Sequence, residues 1–305
     1  MARQSGSSRL ARATKVCFWL VSSVGGLLFL AYGAYLAYHQ LLERPWSVDF
    51  RYLITSLPVY WAALGIAILN WNSIVRSLGV GLGLRRNMKL YCFANLTKQL
   101  PTIFWFVGTR VLLYEREGVS KVVTSTGVML ELLLLTLSNA AVCLLILPAL
   151  PTLQAPPKIL ALILFLPLLL VAARPQLLIR LANALLSRLG KDPLEVGLRW
   201  QQMVTWCTLY SLTWVLGGVY LYLLVMAVSP AIAPTPLQII AAWAFSGLAS
   251  KLRFVLPVGL AWGEVSLAYL LSLFMPLPTA VLITVLSRIW LALNEGSWFL
   301  ISLGL

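Results

Sequence analysis

Nine acidic residues serve this 305-residue chain, and three of them, Glu131, Glu264 and Glu295, stand inside long apolar segments; Arg288 shares the last segment with Glu295. A charge at the centre of a membrane helix costs roughly 2.5–3.5 kcal/mol on insertion scales, so each should face a partner or a wet cavity. Arg288 and Glu295 are two helical turns apart and share a face. The basic residues Lys98, Arg110, Lys251 and Arg253 flank two Leu-Pro steps, Leu100-Pro101 and Leu256-Pro257. Acid and base so placed can hold a charged group in an apolar medium. Bond-breaking chemistry has less to work with. The only histidine is His39, without a Ser-His-Asp or Cys-His grouping, and the segments read as outer loops offer only Glu43 and Asp49 as carboxylates. Cys17, Cys92, Cys143 and Cys207 are scattered and form no CxxC pair, so neither a metal site nor a cofactor is expected. The phosphate-binding pattern GxxxxGK[ST] is absent.

The Leu-Pro steps matter because proline removes a backbone donor and breaks a helix, and at bilayer depth the break needs a compensating environment. Paired interrupted helices in corresponding halves point to a transporter's binding site. Proline is favoured at the first helical position, so Pro101 and Pro257, with Gly259 beside the second, are expected to start returning helices. Two helix N-termini would then point inward with free N–H groups, a resting place for phosphate or another anion, aided by Lys98, Arg110, Lys251 and Arg253. Alternatively these side chains snorkel to the nearest interface. Glu131 lies 30 residues after Pro101 and Arg288 lies 31 after Pro257. The two are near-equivalent and opposite in sign, so they are expected to pair or approach each other. Such a pair could serve transport or simply fix helix register.

The elements that must hold these residues are membrane helices. The composition is 60% apolar with a mean hydropathy of +0.89, which implies an all-α polytopic membrane protein. The net charge of +14 fits anionic lipid and the positive-inside bias; nucleic acid is not an expected partner, because no basic tract is long or aromatic-interleaved. Full spans are legible at Val16–Tyr38, Tyr52–Ile74, Val122–Leu147, Trp200–Val228 and Pro278–Leu305, with a shorter one at Ile159–Ala173. Residues 1–15 form a basic tail, and the first span is too long for a signal-peptide core. Residues 174–199 set Leu178, Leu181, Leu185 and Leu189 near one face with Arg174, Arg180 and Arg188 elsewhere, either a surface-lying amphipathic helix or a cytoplasmic extension of the span.

Basic residues concentrate in the tail and in the 75–89 and 174–199 loops, whereas segments 40–51, 148–158 and 229–237 carry two, one and none. The first group is therefore cytoplasmic, and both termini with it. Keeping the 174–199 loop inside requires 90–114 to enter from the cytoplasm and return at Pro101, and 237–276 to enter from outside and return near Pro257. A surface-lying amphipathic segment is the alternative for 90–114. The expected architecture is about six spans plus two re-entrant helical hairpins in an inverted-topology repeat, repeat 1 at about 52–147 and repeat 2 at about 200–305, within one 16–305 transmembrane domain.

Taken in order, Asn95-Leu-Thr-Lys98-Gln-Leu-Pro101, Trp105, Gly108, Arg110, Glu115–Gly118, Glu131, Leu256-Pro257-Val-Gly259-Leu-Ala-Trp-Gly-Glu264 and Ser287-Arg288 through Glu295 resemble the flippase-like transmembrane region of bacterial lysylphosphatidylglycerol synthases and their stand-alone relatives. In that family the two regions read like N-x-x-K-Y-L-P-G and P-G-G-x-G-x-R-E. Here Thr102, Val258 and Ala261 replace glycines, Gln99 replaces the tyrosine, and Gly263 stands where the family has arginine. The resemblance implies a lipid translocase of a bacterial-type cytoplasmic membrane, moving an anionic or glycosylated lipid between leaflets. It implies membrane lipids as partners. Lys98, Arg110, Lys251 and Arg253 would meet the phosphate, with Glu131, Glu264, Glu295 and Arg288 carrying polarity through the core. The alternative is a non-transporting partner that positions a lipid-modifying or glycosyltransferase enzyme.

Overall fold

The computed structural model describes residues 48–99, 103–146, 197–229, 234–251 and 262–304, with isolated positions at 28–35 and 176–187. Eight α-helices make up the described fold: α1 Phe50–Ser77, α2 Leu84–Leu96, α3 Ile103–Arg116, α4 Lys121–Ile146, α5 Trp200–Val228, α6 Pro236–Ser250, α7 Trp262–Ser272 and α8 Leu277–Gly304. A 3-10 turn, Thr97–Gln99, follows α2. No strand occurs among the described residues.

Local chemistry sets the helix ends. Asp49 caps α1 by accepting from the Arg51 N–H at 2.9 Å. Thr235 and Gln238 cap α6 reciprocally, with Pro236 in the first turn. Two helices end on the same motif. After α1, Val80 N–H returns to the Val75 carbonyl around Gly79 at φ +85°; after α3, Val119 N–H returns to Tyr114 around Gly118 at φ +78°. Glycine supplies the left-handed backbone that both turns demand.

Helices α1, α4, α5 and α8 are each long and apolar enough to cross a membrane. They coincide with four of the expected spans to within three residues at either end. Large apolar side chains stand outward on them, among them Ile54, Leu69, Met129, Leu145, Ile289 and Leu300. Helices apolar on both inner and outer faces belong in lipid, and the chain is a membrane-embedded helical protein. Of the expected first span only Leu28, Ala31, Tyr32 and Tyr35 are described, all helical. The 159–173 span and the 1–15 tail lie outside the described residues. In the 174–199 linker Gln176, Arg180, Asn183, Ala184 and Ser187 are helical, and Gly197–Arg199 precede α5 as irregular chain.

Helix α1 packs most extensively on α5; α2 and α3 pack together, α3 against α4 and α2 against α8, while α6 and α7 pack together, α7 against α8 and α6 against α4. The pattern has an internal regularity. Exchange α1–α4 with α5–α8, and every substantial helix–helix contact maps onto another: α1·α2 onto α5·α6, α2·α3 onto α6·α7, α3·α4 onto α7·α8, α1·α4 onto α5·α8, α2·α8 onto α6·α4, and α1·α8 onto α5·α4, with α1·α5 mapping onto itself. Close approach is bought by glycine where α5 meets α6: a Cβ on Gly218 would lie 2.6 Å from the Ile240 Cα.

Candidate functional site

Arg110 on α3 and Glu131 on α4 form an ion pair through Arg110 Nη1 and Glu131 Oε2, with side chains only 0% and 1% exposed. Such burial requires the remaining charge to be dissipated locally. The guanidinium carbon lies 4.2 Å from the Trp71 ring, 4.5 Å from Tyr91 and 4.4 Å from Phe106, a cation–π enclosure drawn from α1, α2 and α3. On the other oxygen, Glu131 Oε1 accepts from the hydroxyls of Tyr91 at 3.2 Å and Tyr210 at 3.3 Å. Glu131 thereby ties together α2, α3, α4 and α5. Arg110 Nε and Nη2 are buried without an acceptor among the described residues.

The enclosure is held from behind. Trp71 Nε1 donates to the Tyr114 hydroxyl at 2.7 Å, Tyr114 donates to Asn87 Oδ1, and Asn87 Nδ2 donates to Asn72 Oδ1 at 2.7 Å. Each member is satisfied by the next, which makes a buried polar chain tolerable and fixes the ring orientations around Arg110.

A second polar group sits on α8. Tyr60 of α1 donates to Glu295 Oε1 at 3.2 Å, and its ring lies 5.2 Å from that of Tyr220, whose hydroxyl donates to the Ser287 carbonyl at 3.1 Å. Next along α8, Arg288 Nε lies 3.0 Å from Glu264 Oε1 of α7, with side chains 42% and 26% exposed. Gly263 sits at a close approach there: a Cβ on it would lie 3.3 Å from the Ser250 Cβ of α6 and 3.6 Å from Arg288 Nη2.

The expected pairing of Glu131 with Arg288 therefore does not form. Glu131 on the closing helix α4 instead takes Arg110 of α3, the short helix before it, and Arg288 on the closing helix α8 takes Glu264 of α7. The reason is geometric. A short helix packed on its own neighbour brings its charge to a fixed site, whereas a pair between α4 and α8 would have to span the α1–α5 contact. The near-equivalence of Glu131 and Arg288 survives in another form, as two pairs of opposite polarity in corresponding places.

Lys98 is exposed, its Nζ 4.7 Å from the Phe106 ring and 5.9 Å from that of Tyr91, two of the rings that enclose Arg110. It lies within electrostatic reach of both Glu131 and Glu295. Lys251 is half-buried with Nζ 5.6 Å from the Trp214 ring. Pro101, Arg253, Pro257 and Gly259 lie outside the described residues. A cleft of about 380 Å³ lies between the two glycine turns, at residues 78–82 and 117–123, and none of the charged core lines it.

Among the described residues no three His, Cys, Asp or Glu side chains cluster to hold a metal ion. What sequence reading missed are the tyrosines. Tyr60, Tyr91 and Tyr210 are the hydroxyl donors that make buried carboxylates tenable, yet in sequence each is one aromatic residue in an apolar helix. One signal was available: Tyr60 and Tyr210 each stand ten residues beyond the first residue of α1 and α5. The fold and these clusters define a helical membrane protein with paired charges in its core. Comparison with protein-family models, curated proteins and solved structures returns no match in any of the three.

Proposed function

We propose that the protein is a lipid translocase built as an inverted-topology repeat, moving an anionic or glycosylated lipid between the leaflets of a bacterial-type cytoplasmic membrane. The observation that carries this reading is the helix-packing pattern that survives exchange of α1–α4 with α5–α8. Transporters built from inverted repeats have this plan, with the substrate path at the interface of the halves. In this reading α2/α3 and α6/α7 are re-entrant hairpins completing a bundle of about six spans, with both termini cytoplasmic. Lys98, the exposed cation beside the enclosed pair, meets the lipid phosphate first. Arg110 acts behind it as a fixed positive charge. The lysylphosphatidylglycerol synthase resemblance supports the same substrate class.

A second reading, a non-transporting partner of a lipid-modifying or glycosyltransferase enzyme, is favoured by one feature: Glu131 is saturated by Arg110, Tyr91 and Tyr210, as a purely architectural ion pair would be. Reconstitution into liposomes carrying headgroup-labelled anionic lipids separates the two. Faster equilibration between leaflets than in empty vesicles, slowed by Lys98→Gln, is the expected result. Equilibration no faster than in empty vesicles, under any ion gradient, would remove the first reading for the lipids tried.

A further inference from the structure

Two hydrogen bonds cross between the halves in corresponding places. Tyr210 of α5 donates to Glu131 of α4 at 3.3 Å, and Tyr60 of α1 donates to Glu295 of α8 at 3.2 Å. In each case the first long helix of one half reaches a carboxylate on the last long helix of the other, from the same position along the helix. The seams they join are unlike. Helix α4 packs extensively on α5, with Trp214 Nε1 donating to the Leu135 carbonyl at 3.0 Å and Ser138 Oγ to the Cys207 carbonyl at 2.9 Å. Helix α8 touches α1 only slightly, through Trp290 Nε1 on Ser56 Oγ at 2.9 Å and the Trp61–Trp298 edge contact.

We infer that Tyr210–Glu131 and Tyr60–Glu295 are a pair of repeat-related latches, both engaged in the described conformation, in which the α4–α5 seam is extensively packed and the α1–α8 seam only slightly, and that packing either seam more closely loosens the other. The inference rests on the inverted-repeat translocase reading and adds the moving parts to it. Three features argue for coupling. The α1–α5 contact is extensive and maps onto itself, so it is a natural axis for rocking one half on the other. The two seams flank it and exchange with each other. Two halves of like design in unlike states are what alternating access requires of a single static conformation. A hydroxyl donor on a buried carboxylate also suits a latch better than an ion pair does, because either end can part without leaving two bare charges.

The test reads seam opening by thiol labelling, with rates resolved by mass spectrometry of individual peptides. Cys207 reports on α4–α5. Ser56→Cys, nearly isosteric, reports on α1–α8, and buried Cys92 on α2 reports general loosening. Loss of one hydrogen bond to a carboxylate is expected to change an opening equilibrium by about tenfold. Tyr210→Phe should therefore speed labelling at Cys207 and slow it at Ser56→Cys, and Tyr60→Phe should do the reverse. An effect confined to the variant's own seam, or in the same direction at both, overturns the coupling. A second route leaves both tyrosines intact. A bis-thiol reagent long enough to take the place of the Trp298 indole, bridging Gly65→Cys and Trp298→Cys where a Gly65 Cβ would lie 3.9 Å from the far end of the Trp298 ring, clamps the α1–α8 seam. It should speed labelling at Cys207, and an unchanged or slower rate is again a refutation. Reciprocal labelling without lipid movement would leave the latches standing and remove the translocase; lipid movement without reciprocity would do the opposite.

Discussion

Breaking the Arg110–Glu131 pair from either end should cost far more than deleting it. Glu131→Gln keeps an amide oxygen for the Tyr91 and Tyr210 hydroxyls but leaves Arg110 without its counter-charge, and Nε and Nη2 already lack acceptors among the described residues. Arg110→Met keeps most of the side-chain volume among Trp71, Tyr91 and Phe106 and strands the carboxylate instead. Removing one member of a buried pair costs about 3–5 kcal/mol, because the survivor stays charged without its partner. At 1.4 kcal/mol per decade the smaller figure is about a hundredfold in the folding equilibrium. Arg110→Met with Glu131→Gln removes both charges and both desolvation penalties, leaving a neutral amide with two tyrosine donors beside an apolar chain. Buried pairs replaced together are often neutral in stability. The double variant should then lie within about 1–2 kcal/mol of the parent protein, with a coupling energy of at least 3 kcal/mol. The check is equilibrium unfolding in mixed detergent micelles, followed by tryptophan fluorescence, for all four proteins. Additive losses, with the double variant the least stable, would mean that the two charges are stabilised separately and that the enclosure, not the pair, holds the core.

Other outcomes follow from the same geometry. Glu264→Gln, which breaks a pair that is partly exposed on both sides, should cost less in the same unfolding assay than Glu131→Gln, whose pair is fully enclosed; a loss as large as that of Glu131→Gln would refute the distinction between the halves. Gly218→Ala should destabilise by about 1–3 kcal/mol, because the new Cβ meets the Ile240 backbone, whereas Gly296→Ala on α8 meets nothing within 4 Å and should be neutral or gain up to about 1 kcal/mol. At the turn after α3 the Arg86 guanidinium hydrogen-bonds Glu117 and holds its carboxyl below the usual glutamate range. With the folded value depressed, the pair's stabilisation is present above the ordinary value of about 4.3 and is lost as pH falls through the folded value beneath it. The thermal midpoint of the parent protein should accordingly converge with that of Glu117→Gln only below about pH 4; convergence already at pH 6 would contradict the shift.

The long helices were legible because hydropathy and length are local properties, and α5 begins and ends where its apolar run does. Local, too, was the identification of Glu131, Glu264, Arg288 and Glu295 as charges in need of company. Who keeps that company was not local. Arg110 and Glu131 are separated by a turn built on Gly118, and only the packing of α3 on α4 makes them neighbours. A periodicity argument compares positions along one helix, so it found that Arg288 and Glu295 share a face. It had no means of seeing that each looks to a different helix, Arg288 to α7 and Glu295 to α1. The sequence signal that would have helped is an offset: the 150 residues from Tyr60 to Tyr210 equal those from the start of α1 to the start of α5.

That offset also explains how the charges can be reversed between halves without loss of design. Along the closing helices the first half carries one carboxylate and the second carries a guanidinium followed two turns later by a carboxylate. If the ion pairs were the conserved geometric element, Glu131 and Arg288 would correspond and the tyrosines would have no matching acceptor. Taking the tyrosines as the fixed element instead, each finds a carboxylate on the opposite half, Glu131 or Glu295, and the Glu264–Arg288 pair becomes the component free to be exposed. The second correspondence accounts for more of what is observed. It explains why Glu295 is buried although Arg288, on the same helix face, pairs elsewhere. It also makes Glu295→Gln a sharper probe than any change at Arg288. The amide still accepts from Tyr60, so the α1–α8 seam should retain its position while losing its charge. A fall in lipid movement with unchanged thiol labelling would then assign the carboxylate to the lipid path, and altered labelling would assign it to the seam alone.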